Sequence, residues 1–420
     1  MISLIEVLGY RSIKYIRQPL GPFHVLIGPN ASGKTTFLDV VSFLGKLVAD
    51  GVDAAVRERT ENFVDLLWGR TGTHFELVIE AILPTRVKEK LALKTLDSIR
   101  YEVDVGILQD SDTDEVGILS ERVFLTPPRE IEQESRVLFP APIDPPDTIL
   151  HKTARGWKQV VSKNLGGNDN FTPENKSKTR KSWSHSFKLG PRKSALGNVP
   201  PDESQFPACT WLKSLLTEGV QPFLLNSLLM RRASPPNQRQ GFRTDGSNLP
   251  WVVNHLVRRY NDRYQDWISH LKTALPDLAN VYTVLRAEDR HRYLVLEYQG
   301  GLSVPSWMVS DGTLRLLALT LPAYIPDFQG IYLIEEPENG IHPKAVETVF
   351  QSLSSVYDAQ LLLASHSPVI LGCAPSESVL CFAKNEEGAT DIVSGPNHPR
   401  LQEWKGEANL GVLFAAGVLG

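Results

Sequence analysis

A chain of 420 residues has room for a large core and for one large or two linked domains. Its composition is that of an ordinary globular protein, and a formal net charge of −4 gives no global reason to expect nucleic-acid binding. Cys209, Cys373 and Cys381 are too few and too scattered for a disulfide framework or a zinc site, which fits a reducing cytoplasm. No apolar run approaches membrane-spanning length and the first ten residues carry no signal pattern, so a cytoplasmic protein without a membrane partner is expected.

Residues 2–8 alternate as a first strand, and Gly9-Tyr10-Arg11-Ser12 turns the chain towards a second apolar run, residues 23–27. Directly after it stands Gly28-Pro29-Asn30-Ala31-Ser32-Gly33-Lys34-Thr35-Thr36, followed by an apolar helix pattern from 33 to about 48. Strand, glycine-rich loop and helix in that order make a P-loop. The glycines let backbone N–H groups wrap a polyphosphate, Lys34 reaches the terminal phosphates and Thr35 ligates Mg²⁺. ATP and Mg²⁺ are therefore the expected cofactors. Strands are expected near 75–83, 100–108 and 116–125, and their succession suggests an antiparallel meander.

From 126 to 207 the texture changes to Pro-Pro pairs, Gly, Asn and Ser with little apolar periodicity, which reads as an insertion. Residues 151–200 hold eleven Lys and Arg against Asp169 and Glu174, a local charge of +9 that leaves −13 for the remainder. The basic residues, Lys152 to Lys193, are interleaved with Trp157, Phe171, Trp183 and Phe187. Such a pattern suits a stacking and phosphate-binding surface or a small docked subdomain equally well.

Residues 211–230 read as helix. Ser247-Asn248 then caps a helix with Pro250 in its first turn, along which Trp251, Val252, Leu256, Tyr260, Tyr264, Trp267 and Leu271 recur at helical spacing as core. A hairpin, 281–286 with 292–298, leads on to Ser310-Asp311-Gly312 at the head of an apolar helix. Residues 330–334 form an apolar strand that ends in Glu335, Glu336 and Pro337. A further strand, 360–364, ends in Ser365-His366-Ser367. The geometry of a parallel sheet places carboxylates at such strand ends beside a phosphate loop, the first for the Mg²⁺ shell and the second to polarise water.

The segment beginning Ser310-Asp311-Gly312 resembles the signature motif of ABC-type ATPases in the variant of the RecF and SMC branch, and all the motifs stand in that family's order. The resemblance covers roughly residues 1–48 and 245–370. It implies Lys34 and Thr35 as phosphate and Mg²⁺ ligands, Glu335 in the metal shell where the family more often has Asp, Glu336 as the catalytic carboxylate and His366 as the switch histidine. It further implies that Ser310 and Gly312 complete the ATP site of a second copy, that the 337–343 loop communicates across that dimer, and that Arg11 lies near nucleotide or DNA. Gln133 is the candidate for the glutamine loop.

The fold expected is α/β: a P-loop ABC-type ATPase head, its mixed sheet accompanied by an antiparallel meander, plus an inserted, partly irregular helical subdomain. Residues 1–125 form its N-terminal lobe, 126–247 the insertion or lid, and 248–420 the C-terminal lobe. The resemblance implies an ATP-hydrolysing, nucleotide-gated homodimer, open to higher assembly. The Glu-Glu-Pro-Glu-Asn-Gly pattern resembles stand-alone ATPases of bacterial anti-phage defence, which work with a separate nuclease or toxic effector. Two alternatives stand beside it: a RecF-like repair or maintenance ATPase that touches DNA through Arg11 and the 151–193 region, and a non-hydrolysing ATP-bound scaffold.

Overall fold

The computed structural model describes residues 1–108, 115–128, 136–175, 184–238, 241–326 and 328–400. Gln133, Trp183, Lys176, Lys178, Arg180 and Lys181 lie outside them. The described chain divides into two compact units, residues 1–220 with 376–400 and residues 221–375.

The first unit opens with β1 (Ile2–Tyr10), β2 (Ile13–Pro19), β3 (Phe23–Ile27), α1 (Lys34–Asp50) and α2 (Val52–Arg57). It continues through β4 (His74–Ile82), α3 (Thr85–Lys88), β5 (Ser98–Ile107), β6 (Val116–Thr126), β7 (Lys158–Asn164), β8 (Asp169–Phe171) and β9 (His185–Phe187) to α4 (Pro207–Ser214). An eight-stranded sheet runs β2-β1-β4-β5-β6-β7-β8-β9, and each neighbouring pair in it is antiparallel. Alternation sorts its faces, as the two-residue period of a strand requires. On the apolar face Tyr10, Phe43, Phe63 and Phe75 cluster, with Phe75 4.9 Å from Tyr10 and 5.5 Å from Phe43 between ring centres.

The other face of β1, β4 and β5 is charged. Arg100 is 1 % exposed and reaches Glu102 at 2.6 Å, Glu80 at 2.8 Å and Glu6 at 3.2 Å, three carboxylates that are themselves buried. Buried carboxylates also order the part of the chain with least apolar periodicity. Glu76 and Glu102 accept the backbone N–H groups of Ile149 and His151, and Glu121 those of Ala195 and Leu196. Glu174 takes those of Ala208 and Cys209 at the start of α4, where a negative charge also favours the helix dipole.

The meander is as the alternation predicts, but β7, β8 and β9 were not anticipated. They add residues 158–164, 169–171 and 185–187 to the same sheet, with Phe171 fully buried and stacked on Phe187 at 4.9 Å. Lys163 is buried against Asp169 at 2.7 Å, and Lys158 donates to the Glu174 carbonyl. Part of the basic stretch is thus consumed internally.

The helix expected over 211–230 is a second correction. The chain instead runs through α4, a wide turn (Leu215–Gly219), the short strand β10 (Val220–Phe223) and α5 (Ser227–Arg231). Pro222 cannot donate a ladder bond and biases Gln221 to extended geometry, so a continuous helix cannot form there.

The second unit continues with α6 (Leu249–Arg259), α7 (Asn261–Ala274), β11 (Leu278–Leu285), β12 (Arg292–Tyr298) and β13 (Ser303–Pro305). Then follow α8 (Asp311–Thr320), β14 (Gly330–Glu335), α9 (Pro343–Ser354), β15 (Ala359–Ala364) and α10 (Pro368–Cys373). The aromatic stripe of 251–271 belongs to two helices. Tyr260, at φ −140° and ψ 54°, separates them while the apolar spacing continues without change of phase. Asn248 occupies the expected cap position, yet its side chain holds the preceding loop through Arg243 N and Gly241 O. The β11–β12 hairpin has Leu285 opposite Arg292. β14 and β15 pair in parallel over six residues, bringing Glu335 opposite Ala364.

At Ser376 the chain re-enters the first unit. There β16 (Val379–Lys384) pairs in parallel with β3 and antiparallel with β17 (Thr390–Ser394). Among the described residues no helix is long and apolar enough to cross a membrane.

Candidate functional site

The phosphate loop is the link between β3 and α1. Gly28 has φ 148° and Gly33 φ 105°, so both occupy backbone conformations that L side chains rarely adopt. Space enforces the same choice. A Cβ on Gly28 would lie 2.2 Å from the Phe382 carbonyl oxygen, and one on Gly33 would lie 2.1 Å from Thr390 Oγ1. Ala31 shares the left-handed backbone at φ 61° without glycine's freedom, a local strain of about 1–3 kcal/mol.

Lys34 begins α1 with its side chain folded back over the loop, 2.8 Å from the Gly28 carbonyl and 2.9 Å from that of Pro29. Ser32 Oγ is buried and, among the described residues, unpartnered. Pro29 and Asn30 are exposed at the tip and Thr35 is exposed at the first helical turn. Two tight glycines, a buried ammonium and an orphan hydroxyl form a cradle that suits a polyphosphate; Lys34 and the loop amides would hold it, and Thr35 would supply the Mg²⁺ ligand.

The turn at Arg11 adjoins this helix. Arg11 has φ 51° and pairs with Asp39 at 3.1 Å; Tyr10 donates to the same carboxylate at 2.6 Å, and Arg59 holds it from the other side at 2.7 Å. Burial, followed by the Asp39 charge and hydrogen bond, pushes the Tyr10 hydroxyl well above its usual range. Ser12 Oγ lies 3.2 Å from Thr36 Oγ1 and takes a hydrogen bond from Thr390 Oγ1. Tyr10, Arg11 and Ser12 therefore act on the P-loop helix through packing and ion pairing.

In the second unit the structure brings the remaining motif residues together. β14 delivers Glu335 and Glu336 to the surface. Glu336 sits at φ 46°, its N–H bonded to the Ala364 carbonyl at 2.8 Å and its carboxylate to the Asn339 amide. A non-glycine residue in this region is strained, and strain of this kind gathers at functional positions.

Glu338 then joins the two loops. Its Oε1 accepts from Ser365 Oγ at 2.7 Å and from the His366 N–H at 2.9 Å, while its Oε2 is buried without a partner among the described residues. Ser310 caps α8 by accepting the Thr313 N–H, and a Cβ on Gly312 would lie 2.4 Å from the Gly340 carbonyl. The turn at Ser310–Gly312, the loop after β14 and the loop after β15 are thus joined by close backbone contact of Gly312 with Gly340 and by the Glu336 N–H to Ala364 hydrogen bond. His342 accepts from Lys344 N as the cap of α9.

Two features escaped sequence reasoning. Glu338 reads as one more loop carboxylate, and only the apposition of the loops after β14 and β15 makes it the clamp on His366. The other is an arginine-lined cleft between α6 and the β11–β12 turn. Its residues are far apart in sequence, and only the spacing of Trp251, Arg258 and Arg259 along one helix hinted at it.

No curated protein matches this chain. Among solved structures, an Smc head domain with an extended coiled coil, bound to the C-terminal domain of ScpA and derived from Pyrococcus furiosus, has a TM-score of 0.50 at 12% identity. That likeness covers 96% of this chain and 98% of that one. An Smc head bound to the C-winged helix domain of ScpA gives a TM-score of 0.49 at 14% identity, over 94% and 97% of the two chains. At such identities the likeness to the Pyrococcus head is one of fold, and the fold is that of an SMC-like ATPase head. The family described as "AAA domain, putative AbiEii toxin, Type IV TA system" matches residues 23–372, and this chain belongs to it.

Proposed function

We propose that the protein is a Mg²⁺-dependent ATPase that works as a nucleotide-gated dimerisation switch. ATP, when bound with Mg²⁺, supplies the phosphoryl group whose cleavage ends the closed state. Lys34 and the loop amides at 28–36 hold phosphate oxygens, Thr35 and Glu335 serve the metal shell, and Glu336 orients and deprotonates water. His366, clamped by Glu338, reports on the terminal phosphate. Ser310 and Gly312 bind the nucleotide of a second copy, since an exposed serine at a helix N-terminus is suited to an anion.

The observation that carries this reading is the backbone contact of Gly312 with Gly340, because it ties the surface offered to a second copy to the loop that begins at Glu336. Residues 1–125 and 248–420 are the ATPase lobes in this scheme, and 126–247 carries the load. The family's description names a toxin of a toxin–antitoxin system, which supports a role in bacterial anti-phage defence; the separate nuclease or toxic effector and the cytoplasmic location are part of the same proposal.

Sedimentation of wild-type and Glu336→Gln protein with and without Mg-ATP, alongside phosphate release, tests the switch. The expected result is an ATP-dependent dimer trapped by Glu336→Gln, with turnover lowered at least about 100-fold, the scale of a lost general base. Unchanged assembly and turnover would leave a nucleotide-bound scaffold instead.

A further inference from the structure

In the second unit α6 and the β11–β12 turn enclose a cleft of about 740 Å³, which the switch does not use. Trp251, His255, Arg258 and Arg259 line it from α6, and Arg290 and Arg292 from the turn. Arg258, Arg259 and Arg290 are exposed, whereas Arg292 is 6 % exposed and fixed in place. Its guanidinium carbon lies 4.8 Å from the centre of the Trp251 ring, it donates to Thr283 Oγ1 at 2.7 Å, and its backbone exchanges two hydrogen bonds with Ser234. The Trp251 indole N–H is anchored on the same Ser234 carbonyl.

Among the described residues no acid pairs with this charge. No carboxylate among them forms an ion pair with Arg258, Arg259, Arg290 or Arg292; Asp289, which also lines the cleft, is engaged by Arg286 and His291. Arg292 Nε is buried with no hydrogen-bond partner among the described residues. Burial and the charges of Arg258 and Arg290 also lower the proton affinity of Arg292. Guanidinium groups that converge without a counter-charge repel one another, and a buried unpaired donor is destabilising, so the arrangement is one that an anion from outside would relieve.

Arginine forks match phosphate oxygens in pairs, and the cleft has the size of a ligand pocket. We propose that this cleft is a phosphate-binding site composed solely of residues outside the P-loop, taking the phosphates of a nucleic-acid strand or of a free nucleotide. Arg258 and Arg259 make the outer contacts, and Arg292, held over the Trp251 ring, the inner one.

The test uses the full chain and two probes. Fluorescence anisotropy follows a labelled single-stranded DNA of about 16 nucleotides over a range of salt concentrations. Calorimetry follows inorganic pyrophosphate in a Lys34→Ala chain, where the P-loop phosphate contact is removed. If a strand is the ligand, Arg258→Ala/Arg259→Ala weakens DNA binding about tenfold or more and flattens the salt slope by about 1.4, and Arg292→Lys also weakens it. If the source is a free nucleotide, DNA does not bind, and pyrophosphate binding to Lys34→Ala is lost when Arg258 and Arg259 are also replaced. The proposal is overturned if neither probe binds, or if both bind the arginine variants as tightly as the unaltered cleft. Phosphate release by Arg258→Ala/Arg259→Ala stays at the wild-type rate, which separates the outcome from any failure of the P-loop.

Discussion

Two groups of arginines in this protein live under opposite electrostatic conditions. Arg100 is closed off by three carboxylates on one sheet face, one each from β1, β4 and β5. Arg258, Arg259, Arg290 and Arg292 converge on a cleft with no such answer among the described residues. The sequence reports both groups as the same residue type. What separates structural from available charge is the neighbour across the strand or the turn, and a buried charge is retained cheaply only when paired.

The comparison breaks most visibly at Arg100. Arg100→Met leaves Glu6, Glu80 and Glu102 together without a cation, at an expected cost of about 3–5 kcal/mol, which is a large part of a domain's stability. Denaturant unfolding at neutral pH measures it. A midpoint equal to the wild type would mean that the network is not closed on itself.

Asp104 sharpens the comparison from between the two cases. It lies on the charged face opposite Ser120 and Glu76, with His74 and Arg122 nearby, and one of its oxygens is buried without a partner among the described residues. Burial raises its carboxyl from 3.8 to about 7. The folded state therefore favours the protonated acid: its contribution is complete below about pH 4 and is lost as pH rises through about 7. Asp104→Asn should flatten stability over that window and melt higher than wild type at pH 8. A wild-type-like pH profile would refute the assignment.

The smallest effect belongs to the open group. Arg258→Ala/Arg259→Ala should change unfolding free energy by no more than about 0.5 kcal/mol, as for surface residues without partners. A larger loss would show that these arginines are structural after all.

Much of the site was legible in the chain. The loop 28–36 depends on local requirements, two positive-φ glycines and a lysine at a helix start, and these are written in consecutive residues. The same holds for the apolar strand that ends at Glu335 and for the cap at Ser310. The central strands of the meander followed from alternation. By contrast, β7 to β9 were hidden because buried carboxylates, not an apolar stripe, order the chain around them. Residues 211–230 misled because apolar spacing outvoted the single proline at 222. The break at Tyr260 left the periodicity intact and so gave no signal.

The sequence by itself determined the α/β class, the phosphate loop and the order of motifs, since each rests on residues within a few positions of one another. Tertiary structure decided that Glu338 grips the His366 loop, that Gly312 must be glycine against Gly340, and which arginines are paired. Those properties arise where strands or loops distant in sequence meet, and hydrogen bonds and ion pairs reaching only a few ångströms cannot be read until that meeting is known.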